Sequence, residues 1–240
     1  MPRIYVGTSG WNYPHWKKVF YPPALAPHDW LSFYAQKFPA VEVNYSFYRL
    51  PTSSTCRRWF EQTPSSFLFT LKASRYITHI KRLKGVQGAL EQFLESTKEL
   101  KGKGGPIFFQ LPPSFKADFL VLESFLKLLP KGGRFAFEFR HPSWFTDEVF
   151  SLLKRYNAAL VAADSPRYPY REVQTADFFY LRLHGHKVLY ASKYSPSQLH
   201  KYGEKIKGWG RGGDVFVFFD NDACGVAVQN ALELGKLVGA

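Results

Sequence analysis

Several charged side chains in this 240-residue chain fall at positions that the surrounding sequence would bury. In the segment FAFEFRHPSWF, residues 135 to 145, Phe135, Phe137 and Phe139 alternate with Ala136, Glu138 and Arg140. A strand here sends the aromatics to one face and two opposite charges to the other. The same alternation in the other apolar runs yields an inward polar set: Glu42 and Asn44, Thr70 and Lys72, Gln110, Asp164, Arg182 with His184, and Asp220 or Asn221 depending on register. An isolated buried ion costs several kcal/mol, so such residues must pair, reach water or bind something. One reading is a structural network, Glu138 with Arg140 or Arg182. The other, favoured because the residues come from many strands and gather at strand ends, is a ligand site. Lys72, Arg140 and Arg182 then clamp a phosphate or carboxylate, while Glu138, Asp164 and His184 are the candidates for proton transfer. The turn Gly7-Thr8-Ser9-Gly10-Trp11 lets Thr8, Ser9 and Trp11 approach a ligand, and His141 follows Arg140 at the same strand end.

The elements that must position these residues alternate along the chain. Strand patterns run near 3–7, 41–45, 67–72, 106–111, 135–140, 158–164, 178–184 and 215–220. Helical spacing fills most gaps, as in Trp30, Leu31, Tyr34 and Phe38, in Phe119, Leu122, Phe125 and Leu126, and in Ala227, Ala231, Leu234 and Val238. Thr146 offers a helix-capping oxygen after the fifth strand, and Ser195-Pro196 opens a later helix. Eight such units fit a single-domain α/β (β/α)8 barrel of TIM type with some irregularity, a fold that takes about 250 residues. An open doubly wound sheet competes, but no G-x-G-x-x-G follows a strand. In a parallel barrel the outer strand face meets the helices, so Val41, Val43, Phe69, Leu71, Phe109, Leu111, Phe137, Val161, Ala163, Leu181 and Leu183 are expected to point outward.

Composition agrees with one compact domain over residues 1–240: 45% of residues are hydrophobic and 18% aromatic, too many for a disordered chain. No apolar run reaches transmembrane length, and MPRIYVG enters a strand directly instead of a signal peptide, so a cytoplasmic location without membrane association is expected. Cys56 and Cys224 have no metal-ligand spacing and read as free thiols. With 32 Lys and Arg against 19 Asp and Glu, the formal charge of +13 favours an anionic partner, either a small molecule or nucleic acid. Oligomeric state has no signature in the sequence.

GTSGWNY at 7–13, EVNYSFYRLP at 42–51, LKASRYITHIKRL at 71–83, FFQLPPSF at 108–115, FEFRHPSWF at 137–145, RLHG at 182–185 and FFDND at 218–222 together resemble the YecE-like family, domain of unknown function 72. The resemblance covers essentially the whole chain and implies a TIM-type barrel without implying a reaction. The family's barrel is considered similar to that of endonuclease IV, which motivates a phosphodiester hypothesis by fold analogy alone. A trinuclear zinc site is under-supplied here. No cofactor is required, although Glu138, Asp164 and His184 are compatible with a single divalent metal. The expectation is therefore a cationic mouth that binds a phosphorylated ligand and hydrolyses a phosphoester, with Glu138 as general acid or base. The alternatives are a non-catalytic nucleic-acid binder and a sugar-phosphate isomerase.

Overall fold

The computed structural model describes residues 2–240. Eight parallel strands, β1 Ile4–Thr8, β2 Ala40–Val43, β3 Leu68–Lys72, β4 Gly104–Gln110, β5 Phe135–Glu138, β6 Ala158–Asp164, β7 Phe178–Leu183 and β8 Asp214–Phe219, pair in the order β1-β8-β7-β6-β5-β4-β3-β2. Helices α1 Trp30–Ala35, α2 Tyr45–Tyr48, α3 Ser53–Glu61, α4 Gln87–Ser96, α5 Phe119–Leu126, α6 Asp147–Arg155 and α7 Pro196–Trp209 occupy connections between strands, and α8 Val226–Val238 follows β8. Thr146 caps α6 and Ser195 caps α7, the latter in a capping box with Gln198. One crossover lacks a helix: residues 165–177 join β6 to β7 as an irregular loop, where Pro166 and Pro169 interrupt any helical ladder.

The core has two layers. Val41, Val43, Phe69, Leu71, Phe109, Phe137, Leu181 and Leu183 face the helices, as the alternation requires. A smaller cluster, including Tyr5, Phe108, Ala136, Phe178, Tyr180, Phe216 and Phe218, fills the barrel interior. Strand β6 departs from expectation. Val161 and Ala163 belong to the interior cluster, whereas Leu160 and Ala162 face the helices. The run AALVAA has no polar residue to mark its phase, and Asp164 consequently lies on the outer side.

The barrel closes between β1 and β2 without a regular ladder. The two strands meet in one parallel bridge, Ser9 with Glu42. Gly7 passes so close to β2 that an added Cβ would lie 2.1 Å from the Ala40 carbonyl oxygen. Buried Tyr34 of α1 completes the seam: its hydroxyl accepts the Thr8 N–H at 2.9 Å and lies 3.2 Å from the Ala40 carbonyl oxygen, to which it donates. A side-chain hydroxyl thus stands in for a missing backbone bond. Tyr34→Phe should strand both backbone groups, at about 1–3 kcal/mol for each group left unpaired. Denaturant unfolding that shows no loss of stability in this variant would contradict that account of the seam.

Candidate functional site

At the C-terminal ends of the strands one guanidinium organises the interior. Arg182 of β7 is 1% exposed and donates from Nε to Glu42 Oε2 at 2.9 Å, from Nη2 to Glu42 Oε1 at 2.7 Å, and from Nη1 to Glu138 Oε2 at 2.7 Å. Its Nη2 also reaches Asp220 Oδ2 at 3.1 Å, and its plane lies over the Phe108 ring. Glu42 is saturated further, by Ser9 Oγ on one oxygen and the Tyr180 hydroxyl on the other, each at 2.7 Å. The bidentate Glu42–Arg182 pair joins residues 140 apart in sequence. These charges sit in a low-dielectric interior, where only such complete pairing offsets their desolvation.

Glu138 lies between two guanidiniums. Arg140 Nε contacts its Oε1 at 2.7 Å, and Arg182 holds its Oε2. Burial pushes the Glu138 carboxyl up, but Arg140 and Arg182 outweigh that and hold it well below the usual carboxylate range. Asp220 behaves in the same way: burial raises its pKa, while Arg182 and a hydrogen bond from His184 bring it below the ordinary value. His184 is fully buried, with Nδ1 2.9 Å from Asp220 Oδ2 and Nε2 3.1 Å from Arg182 Nη1. Since a guanidinium can only donate, Nε2 accepts and Nδ1 donates to Asp220.

Above this ring opens a cavity of about 400 Å³, walled by Asn44, Lys72, Gln110, Arg140 and Asp220 and rimmed by Tyr13, Tyr48 and Tyr190. The close pairing of Arg140 and Arg182 with Glu138 therefore leaves space for a ligand. Lys72 Nζ donates to Gln110 Oε1 at 2.9 Å and lies 4.4 Å from the centre of the Phe47 ring. Burial and the neighbouring Arg182 push its ammonium down to about 8. Gln110 turns its amide nitrogen to His79 Nε2 at 3.3 Å, and burial together with Lys72 and Arg140 pushes His79 down to about 4. His79 is thus unprotonated near neutral pH and can accept from the amide. Arg140 also stacks over Tyr168, 4.4 Å from the ring centre.

The structure brings Ser9, Glu42, Glu138, Arg182, His184 and Asp220 into one network and sets Asn44, Lys72, Gln110 and Arg140 around the cavity above it. Trp11 lines an adjoining hollow. Four expected residues lie elsewhere. Thr8 is spent on the β1–β2 seam through Tyr34. Asp164 points to the outer side, with His186 Nδ1 at 3.2 Å. His141 accepts the Ser143 N–H at 3.2 Å and caps the short turn Pro142–Trp144. Asn221 ties Ser192 to Asn230 of α8, so the β8 register selects Asp220 as the inward residue. Because Asp164 is separated from Glu138 and His184, the three do not form a metal triad, and among the described residues no group of three His, Cys, Asp or Glu is placed to hold an ion. Sequence reasoning missed Tyr180, whose signal was its parity with Arg182, and His79 and Tyr168, which irregular backbone brings in. Cys56 and Cys224 are free thiols.

Eight parallel strands in a nearly closed ring, with surrounding helices and a charged network at their C-terminal ends, define a TIM-like barrel. Within that class the chain belongs to the family described as protein of unknown function DUF72, whose model matches residues 5–240. It is 25% identical to UPF0759 protein YunF of Bacillus subtilis (strain 168), over 98% of this chain and 94% of that one. It is 32% identical to UPF0759 protein YecE of Escherichia coli (strain K12), over 59% of this chain and 50% of that protein. The crystal structure of a DUF72 family protein from Thermotoga maritima MSB8 superposes with a TM-score of 0.89 at 30% identity, over 99% of this chain and all of that one. No helix among the described residues is long and apolar enough to cross a membrane.

Proposed function

We propose that the cavity at the barrel mouth binds a small phosphorylated or otherwise anionic ligand, with Lys72 and Arg140 meeting the negative group. The observation that carries this reading is Lys72. Among the described residues its ammonium contacts the Gln110 amide and the Phe47 and Phe108 rings, with Asp220, Glu138 and Glu42 acting on it without direct contact, whereas Arg182 spends its donors on Glu42, Glu138, Asp220 and His184. Desolvating an ammonium against a neutral amide is unfavourable unless an anion repays it. Asp220, 22% exposed at its side chain, also lines the cavity and offers an acceptor suited to a ligand hydroxyl.

In a hydrolytic reaction on a bound phosphoester, water attacks phosphorus as the P–O bond to the alcohol breaks, Lys72 passes its proton to the departing oxygen and regains one from the attacking water, and Arg140 stabilises the developing charge. Glu138, ionised and fully hydrogen-bonded, then acts by holding Arg140 and Arg182 in place. Calorimetric titration with inorganic phosphate, glycerol 3-phosphate and glycerol tests the binding step. Both phosphates should bind at low ionic strength, glycerol should not, and Arg140→Met should weaken the phosphates by about tenfold or more. A wild-type protein that binds neither phosphate defeats the reading. Release of phosphate from the ester reports the hydrolytic step separately.

A second reading is a non-catalytic nucleic-acid binder. It rests on the basic segments that follow the ends of β3, β4 and β6, which carry Arg75, Lys81, Arg82, Lys116 and Arg167. Binding that grows with oligonucleotide length and ignores Arg140→Met would favour it.

A further inference from the structure

A second hollow of about 440 Å³ adjoins the anion cavity, and Tyr13 and Asn44 form walls of both. Its chemistry is different. Trp11 and Trp59 meet edge to face at 5.4 Å, and Tyr45 and Arg58 line the hollow beside them, with Asn12 and Thr55 adding polar atoms. Tyr45 is 47% exposed, so one ring face is not used by the core. The exposed aromatic residues Tyr45, Tyr48, Tyr76 and Tyr190 all lie in segments that follow strand ends on this one face of the barrel. At the junction of the hollows, Asn44 Oδ1 is buried without a hydrogen-bond partner. Unpaired buried acceptors are uncommon in native proteins, and a turn of the Asn44 amide would present this oxygen to an N–H or O–H of a ligand.

Resting on the anion-site reading above, we propose that the two hollows form one bipartite site for a nucleotide: the phosphate meets Lys72 and Arg140, and the base lies in the aromatic hollow. Taken together the two hollows have the volume of a site for one small molecule of nucleotide size, since such pockets span roughly 300–1,000 Å³. Tyr and Trp faces stack on any base, and Arg58 adds a planar cation that can stack or pair with a ring acceptor. The sugar then passes Tyr13 and Asn44, and a turn of the Asn44 amide gives its oxygen the missing donor. A sugar phosphate without a base would leave the aromatic hollow empty and its exposed Tyr45 face wet.

Titration with adenosine 5′-monophosphate, ribose 5-phosphate and adenosine, in wild type, Tyr45→Ala and Lys72→Met, tests the assignment. The nucleotide should bind at least tenfold more tightly than ribose 5-phosphate, a margin that stacking of one base commonly supplies. Tyr45→Ala should remove most of that margin and leave ribose 5-phosphate unchanged, whereas Lys72→Met should weaken both phosphates and spare adenosine. Equal affinity for the two phosphates, with no effect of Tyr45→Ala, would overturn the nucleotide assignment and leave the anion site standing. Failure of both phosphates to bind would overturn the anion site and the assignment with it. Tyr45 is exposed, so folding of its variant is not in question, and matching unfolding curves would verify this.

Discussion

Replacement of Arg182 by Met should lower the unfolding free energy at neutral pH by about 3–5 kcal/mol, the usual cost of removing one partner from a buried ion pair. For a chain of this length that corresponds to a fall in Tm of roughly 6–20 °C. The reason is geometric: Arg182 is the common donor to Glu42, Glu138 and Asp220, so its removal leaves three carboxylates with Arg140 as the only guanidinium in contact among the described residues, and of the three Arg140 pairs with Glu138 alone. The pH dependence gives the effect a sign. In the wild type Glu138 and Asp220 are held below their ordinary values, so their contribution is present above the unfolded carboxylate range and is lost as pH falls through the depressed folded values. In the variant, burial without Arg182 works in the opposite direction, and protonation relieves the repulsion. The deficit should therefore be largest near pH 7 and shrink toward pH 5. Urea unfolding at the two pH values decides the matter: a deficit that grows on acidification, or one below about 1 kcal/mol, would mean that Arg182 is not what holds the ring together.

The same ring shows why part of the site is legible in the sequence. Glu138 and Arg140 alternate with phenylalanines, and Arg182 with leucines, so the large outward side chains fix the phase of β5 and β7. In β6 every residue from Ala158 to Ala163 is apolar, and either phase is chemically acceptable in sequence. Packing chose the phase that puts Val161 and Ala163 inside, and Asp164 went with the other face. Strand β8 was undecided for a similar reason, since VFVFF offers no polar contrast until Asp220 and Asn221. The pairing of charges was less accessible than their direction. Alternation places Glu42 and Arg182 inward but says nothing of which carboxylate takes which guanidinium nitrogen, because that depends on strand stagger around the barrel. Tyr34 at the seam and His79 beside Gln110 act through single side chains on irregular or distant segments, where no periodic signal exists.

Lys72 joins stability to binding, and its replacement should move the two in opposite directions. Lys72→Met should bind phosphate and phosphate esters at least tenfold more weakly below pH 8, the loss expected for one charge-assisted hydrogen bond, while the unliganded variant should be more stable than wild type. The stability effect follows from linkage. The folded protein holds the Lys72 ammonium at about 8, below the ordinary 10.5, so between those values the unfolded chain binds more protons and stability rises with pH. Below about pH 8 the full cost of burying the ammonium is present. At about 1.4 kcal/mol per pKa unit, discounted because the side chain is only partly shielded from water, this amounts to about 1–3 kcal/mol, which methionine removes. Ligand binding should reverse the shift, since an anion beside Lys72 favours its charged form. Phosphate affinity of the wild type should accordingly decline above pH 8 and show net proton uptake at pH 8.5, measurable by calorimetry in two buffers of different ionisation enthalpy. The variant should show neither the decline nor the uptake. If Lys72→Met instead loses stability, or binds phosphate as the wild type does, the lysine is a packing element of the barrel mouth and the anion must be sought elsewhere on this face.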